Sequence, residues 1–253
     1  MTTFRNDEER HQHSLQTLNT LFEYDDFMAS IATLVDLGCG TGLDLEWWAT
    51  RTTRDDVPEP LNIKCTGIDI INAPSVFRKY SNITYQKCDF EDHEKTLPDA
   101  KFDVLWCHDA FQYCINPIKT LGKWYNLAED GGMLILSVPQ TTNMDIRQMS
   151  FIQPDGCYYH HTVVSLMHML ALNGWDCNTG FFLKRPNDDF IHAIAYKSSH
   201  PPMDPRTTTW LDLAKKDLLP ESAVASIQRH NIVMQQELVL QWIDKSLSWM
   251  GQQ

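Results

Sequence analysis

The residues best suited to chemistry begin with the loop Gly38-Cys39-Gly40-Thr41-Gly42, which follows the apolar residues Val35 and Leu37 with Asp36 between them. Glycines in such a turn let the backbone bend tightly and approach a ligand with no Cβ in the way. The spacing is GxGxG. The GxGxxG of dinucleotide enzymes would need its third glycine at Leu43. Two more acids close strand-like runs, Asp69 in Gly67-Ile68-Asp69-Ile70 and Asp89 in Lys87-Cys88-Asp89-Phe90. Each carboxylate offers two oxygens to neighbouring donors. One acid at a strand end is ordinarily solvated or caps a helix. Three at successive strand ends beside a glycine loop point to a ligand, because α/β sheets bind at the carboxyl ends of their strands.

A second group of residues can handle a proton. His108 follows the run Phe102–Cys107, with Tyr113 five residues on, and Tyr158-Tyr159-His160-His161 form a polar-aromatic cluster. Imidazole titrates near neutral pH. A base is needed only where an acceptor must lose a proton. His108 has two readings: a ring that acts as base, or a backbone contact to a ligand with an incidental side chain. For His160 and His161 the alternatives are a substrate role and the polarity of a helix start. Tyr113, Tyr158 and Tyr159 are candidates to line a pocket or to face a cation.

These residues need a scaffold. Apolar spacing predicts a helix over 8–31, then strands at Ala32–Leu37, Ile63–Ile70, Ile83–Cys88, Phe102–Cys107 and Met133–Val138. Helices are expected at Leu43–Thr50, Pro117–Leu127 and Thr162–Leu172, with a short helical piece at Ser75–Tyr80. Strands alternating with helices imply right-handed βαβ units and a mainly parallel sheet. Two last runs, Cys177–Leu183 and Phe190–Tyr196, suit a closing hairpin. The proline-bearing stretch Ser199–Pro205 reads as a linker to a short helix, Thr208–Leu218, and a long one from Pro220 to about Met250. The expected organisation is an N-terminal helical cap over 1–31, a core over 32–198 and a helical extension over 199–253. The apolar stripe Ile227, Met234, Leu238 and Trp242, widened by Ile243 and Leu247, packs on the core, makes a homodimer contact or caps the active site.

Read together, these motifs resemble the class I, Rossmann-like, S-adenosylmethionine-dependent methyltransferases of the small-molecule branch, over roughly residues 32–196. The resemblance implies a seven-stranded, mostly parallel sheet with helices on both faces and an antiparallel last strand. It also implies a cofactor site for S-adenosylmethionine, with S-adenosylhomocysteine as product, built from Asp36, Gly38, Cys39, Gly40, Gly42, Asp69, Ile70, Asp89, Phe90 and His108. In that family the acid at Asp69 holds the ribose hydroxyls and the acid at Asp89 accepts from the adenine amino group. The residue at Phe90 packs its ring and offers its backbone N–H, and the strand-end residue at His108 contacts the methionine portion. The unit Asn126–Pro139 is similar to the family's helix–Gly-Gly–strand unit, with Glu129-Asp130 standing where Lys-Pro is frequent.

Composition narrows the acceptor. The formal charge of −12 disfavours nucleic acid, whose binding rests on Lys and Arg neutralising phosphates. No Asn/Asp-Pro-Pro-Tyr/Phe motif follows the fourth strand, where His108-Asp109-Ala110-Phe111 stands instead. A small-molecule acceptor is expected, with His108, His160, His161 and Tyr113 as the candidate catalytic residues. The loop 139–161 and the N-terminal helix, bearing Arg10, His11 and His13, are expected to enclose it. Seven cysteines without a CxxC pair argue against a disulfide framework or a zinc site, so no metal is expected. With neither a signal-peptide pattern nor a run of roughly 20 apolar residues, the expected setting is cytoplasmic and away from the membrane. Three alternatives remain: a dinucleotide oxidoreductase, disfavoured by the loop spacing; a cofactor-binding scaffold without turnover; and a methyltransferase acting on protein or nucleic acid.

Overall fold

The computed structural model describes residues 6–22, 30–53, 57–73, 75–139, 159, 161–183 and 190–239. The strands are β1 (Thr33–Leu37), β2 (Lys64–Asp69), β3 (Ile83–Lys87), β4 (Phe102–His108), β5 (Ala128–Pro139), β6 (Trp175–Leu183) and β7 (Phe190–Lys197). They form one sheet in the order β3-β2-β1-β4-β5-β7-β6. The first five pair in parallel, and β7 runs antiparallel to both β5 and β6. The order turns back on itself between β1 and β4, so loops leaving those two strands part and open a crevice at their carboxyl ends.

Helices α1 (Asp7–Phe22), α2 (Leu43–Ala49), α3 (Pro117–Leu127), α4 (Val163–Leu172), α5 (Trp210–Ala214) and α6 (Glu221–His230) surround the sheet. Side chains alternate between faces along each strand. Leu34, Val104, Trp106 and Ile135 therefore share one apolar cluster with Leu18 of α1 and Leu45 and Trp48 of α2. Val35, Leu105, Cys107 and Leu134 join the other cluster, with Leu121 and Trp124 of α3 and Leu166 and Leu170 of α4. A sheet apolar on both faces explains why β4 reads as a continuous buried run. Among the described residues no helix is long and apolar enough to cross a membrane.

Some boundaries move. Helix α1 stops at Phe22, well short of residue 31, and Ile31 is already buried on the approach to β1. The expected helix at Ser75–Tyr80 is one 3₁₀ turn, Ser75–Arg78, and the one at Thr208–Leu218 contracts to α5. Strand β5 begins at Ala128, so Glu129–Gly132 continue the strand where a turn was expected, with a register shift against β4. The long C-terminal helix is a larger departure. Asn231 takes a left-handed φ of 58° and its N–H caps the Ile227 carbonyl at 2.8 Å, which ends α6 there. Ile227 and Leu238 are both buried in the cluster that includes α3 and α4. That part of the stripe faces the chain's own core; Trp242, Ile243 and Leu247 lie outside the described residues.

Candidate functional site

The loop after β1 is shaped by hydrogen bonds to its neighbour strand. The Gly38 and Cys39 N–H groups both donate to the Ile68 carbonyl, at 2.9 and 3.1 Å. Gly38 and Gly40 have φ of 87° and 52°, in the left-handed region. A Cβ on Gly38 would lie 2.4 Å from that of Ala110, so β1 and β4 meet here only because the residue is glycine. Gly42 forms the N-cap of α2.

This loop borders a cavity of about 710 Å³, also lined by Asp69, Ile70, Asp89, Phe90, Asp109 and Tyr113. Asp69 Oδ2 accepts from the Gly40 N–H at 2.8 Å and Oδ1 from the Ile71 N–H at 3.2 Å. Asp89 caps the following 3₁₀ turn through the Glu91 N–H at 2.9 Å. Phe90 packs edge-on to Trp124, with ring centres 5.8 Å apart. Gly38, Gly40, Asp69, Ile70, Asp89 and Phe90 are thus brought together around one space.

Asp36 and Cys39 stand behind that space. Cys39 is fully buried, and burial, with Asp36 and Asp69 nearby, pushes its thiol far up. Asp36 is 1% exposed, and its Oδ2 has no hydrogen-bond partner among the described residues. Burial and the neighbouring Asp44 raise its carboxyl well above the usual range, against the pull of Arg10.

Helix α1 closes the cavity with Asn6, Asp7 and Arg10. The Arg10 guanidinium donates from Nη1 to the Gly38 and His108 carbonyls, at 3.0 and 3.2 Å, and from Nη2 to the Cys39 carbonyl at 3.1 Å. Burial works against its charge, but Asp44, Asp36, Asp7 and Asp109 around it hold its proton more firmly than water would. His11 and His13 turn elsewhere: His11 Nδ1 lies 2.5 Å from Asp44 Oδ1, and His13 Nδ1 lies 2.8 Å from His108 Nε2.

Of the proton-handling candidates, Tyr113 reaches the cavity. His108 is 1% exposed and not part of the lining: its carbonyl accepts from Arg10, and its ring stacks between Trp106 and Phe190. Burial, reinforced by His13, Arg10 and His192 and opposed by Asp44, holds that imidazole well below its ordinary pKa. The ring does not border the cavity, so it is not placed to act as a base on a ligand there. His161 is also buried, stacked between Phe111 and Tyr159, and is not part of the lining. Tyr158 and His160, like 140–157, lie outside the described residues.

Two acids carry weight that sequence reading missed. Asp44, in the first turn of α2, ties α1 to β4. Asp109 adopts a left-handed φ of 55°, with its N–H on the Ser137 carbonyl at 3.0 Å. Asp44 belongs to no motif, and Asp109 lies in the segment after β4 without having been singled out.

The fold recurs in solved enzymes of differing chemistry. A Burkholderia thailandensis 1,6-didemethyltoxoflavin-N1-methyltransferase, solved with that compound and S-adenosylhomocysteine, superposes with a TM-score of 0.52 at 14% identity, over 79% of this chain and 93% of that one. A Burkholderia thailandensis O-methyltransferase family protein gives 0.54 at 14%, over 77% and 61%. The CurJ carbon methyltransferase gives 0.51 at 15%, over 68% of this chain and half of that one. Nitrogen, oxygen and carbon methyltransferases thus share this architecture, and at such identities the likeness shows the fold alone. The sequence over residues 7–179 also matches the family model described as a methyltransferase domain, and the chain belongs to that methyltransferase family.

Proposed function

We propose that the cavity binds S-adenosylmethionine and that the chain transfers its methyl group to a small-molecule acceptor by direct displacement. One observation carries the reading: Arg10, which lines the cavity, sits with its guanidinium on the Gly38, Cys39 and His108 carbonyls, while Asp69 and Asp89 line it as well. That polarity suits a ligand with an ammonium at one end and a ribose and adenine at the other. Asp69 would hold the ribose hydroxyls, Asp89 the adenine amino group, and the Phe90 ring the adenine face. The Gly38 carbonyl, which borders the cavity, would receive the ammonium. Arg10, whose Nε has no partner among the described residues, would then meet the carboxylate. Bound there, the cofactor supplies an electrophilic methyl on a positively charged sulfur; the protein's part is alignment and exclusion of water, worth several kcal/mol.

A small acceptor fits the cavity's size, which lies within the usual range for small-molecule sites. The net charge of −12 opposes nucleic acid. The reading is tested by titrating S-adenosylmethionine and S-adenosylhomocysteine calorimetrically against the protein and its Asp69→Ala variant. Losing charge-assisted hydrogen bonds worth about 1.5–3 kcal/mol each should weaken both ligands alike, by roughly a hundredfold. Undiminished affinity in the variant would remove Asp69 from the site, and no heat with either ligand would remove the cofactor.

A further inference from the structure

We propose that Asp109 is the acceptor-side anion of the cavity and that the acceptor is recognised through a protonated amine. This rests on the cofactor reading above and goes one step past it.

Five carboxylates line the cavity: Asp7, Asp69, Asp89, Glu91 and Asp109. Four are engaged with backbone that they help to hold. Glu91 accepts from the Ile115 and Asn116 N–H groups at 2.7 and 3.1 Å and from the Thr120 hydroxyl at 2.9 Å. Asp7 accepts from the Thr41 N–H at 3.0 Å, and Asp69 and Asp89 are tied to backbone as described. Asp109 differs. It accepts from no backbone N–H: one oxygen takes the Gln112 side-chain amide at 2.6 Å, and the other, like one oxygen each of Asp7 and Asp89, accepts no hydrogen bond among the described residues.

Its position decides what it would face. Asp109 directly follows His108, whose carbonyl shares the cation-accepting set with that of Gly38. It therefore stands at the β4 end of the crevice, across β1 from Asp69 on β2. Its left-handed backbone, φ 55°, is one that Asp tolerates better than most residues, and it fixes the side chain there. Gln112 steadies the carboxylate, is itself 1% exposed, and keeps an Oε1 with no partner among the described residues. Tyr113 borders the same cavity, and its ring adds a face that attracts cations.

The groups facing Asp109 are Gln112 on its own segment and Arg10 and His13 from α1. Burial raises its carboxyl to about 6, against the pull of these three. At pH 7.5 it is an anion, and below about 6 it loses its charge. A neutral alcohol gains little from such a partner; an ammonium gains a charge-assisted hydrogen bond.

The test uses the full chain saturated with S-adenosylhomocysteine. Tyramine and benzylamine are titrated by calorimetry beside tyrosol and benzyl alcohol, which match them in shape without the amine. The amines should bind at least about tenfold more tightly than the alcohols at pH 7.5, and that preference should vanish at pH 5. Asp109→Asn, which tolerates the left-handed backbone, should abolish the preference in protein kept saturated with S-adenosylhomocysteine. Equal binding of amines and alcohols, or a preference that survives Asp109→Asn, overturns the proposal while leaving the cofactor reading intact. Failure of S-adenosylhomocysteine to bind overturns the cofactor reading first, and this inference with it.

Discussion

Gly40→Val is expected to leave a folded protein that binds S-adenosylhomocysteine at least about a hundredfold more weakly than the unaltered chain, a loss of ~2.7 kcal/mol. Gly40 has a φ of 52°, where an L-residue costs roughly 1–2 kcal/mol and a β-branched one more. The added Cβ would lie 2.8 Å from Arg10 Nη2 and 3.1 Å from Asp7 Oδ2. Both are ends of side chains on α1, so the fold survives by their displacement. Those side chains nonetheless close the cavity, and the Gly40 N–H that Asp69 holds belongs to the residue being altered. The substitution thus disturbs the loop, the ribose acid and the arginine together. Circular dichroism should remain native-like while calorimetry records the loss. Unchanged affinity in a folded Gly40→Val protein would mean that this loop does not cradle the cofactor.

The loop was legible because its signal is local: glycines between an apolar strand and a helix. The strands were legible for a similar reason, since each is a short apolar run bounded by turn residues. The ring of His108 was left between two readings although a signal existed. Val104, Trp106 and His108 alternate along β4, and Val104 and Trp106 share the apolar cluster that includes α1 and α2. Period-two alternation sends the imidazole to that same side, where it stacks on Trp106, and leaves only its carbonyl for Arg10. The end of α6 was hidden because Asn231 interrupts an apolar spacing that continues, by coincidence, into Leu238. Asp109 was present in the sequence but unremarkable, for nothing local announces a left-handed aspartate whose N–H is fixed by a neighbouring strand.

Asp44 is the other residue with no local signature, and removing it should have the largest effect on stability. It is 1% exposed and gathers three groups from two elements: Ser14 Oγ of α1 at 2.6 Å, His11 Nδ1 of α1 at 2.5 Å, and the Trp106 indole N–H of β4 at 3.0 Å. Burial alone would raise its carboxyl; His11, Arg10, His108 and Ser14 outweigh that and hold it down to about 2. Its place in the first turn of α2 also suits a negative charge. Asp44→Ala strips the buried indole N–H and the Ser14 hydroxyl of this shared acceptor and leaves the Arg10 charge less compensated. Breaking such a buried pair costs about 3–5 kcal/mol, or roughly 10 °C in Tm for a chain of this size. Because the folded carboxyl titrates below its unfolded value, its contribution is complete above about pH 4 and is lost as pH falls towards 2. The gap in Tm between the unaltered chain and Asp44→Ala should therefore be wide at pH 7, smaller at pH 3 and narrow only near pH 2. Cofactor affinity should fall as well, since Asp7 and Arg10 reach the cavity from the helix that Asp44 anchors. A Tm within about 2 °C of the unaltered chain at pH 7 would show that α1 is held by its apolar contacts, with Leu18 foremost, and that the buried carboxylate contributes little.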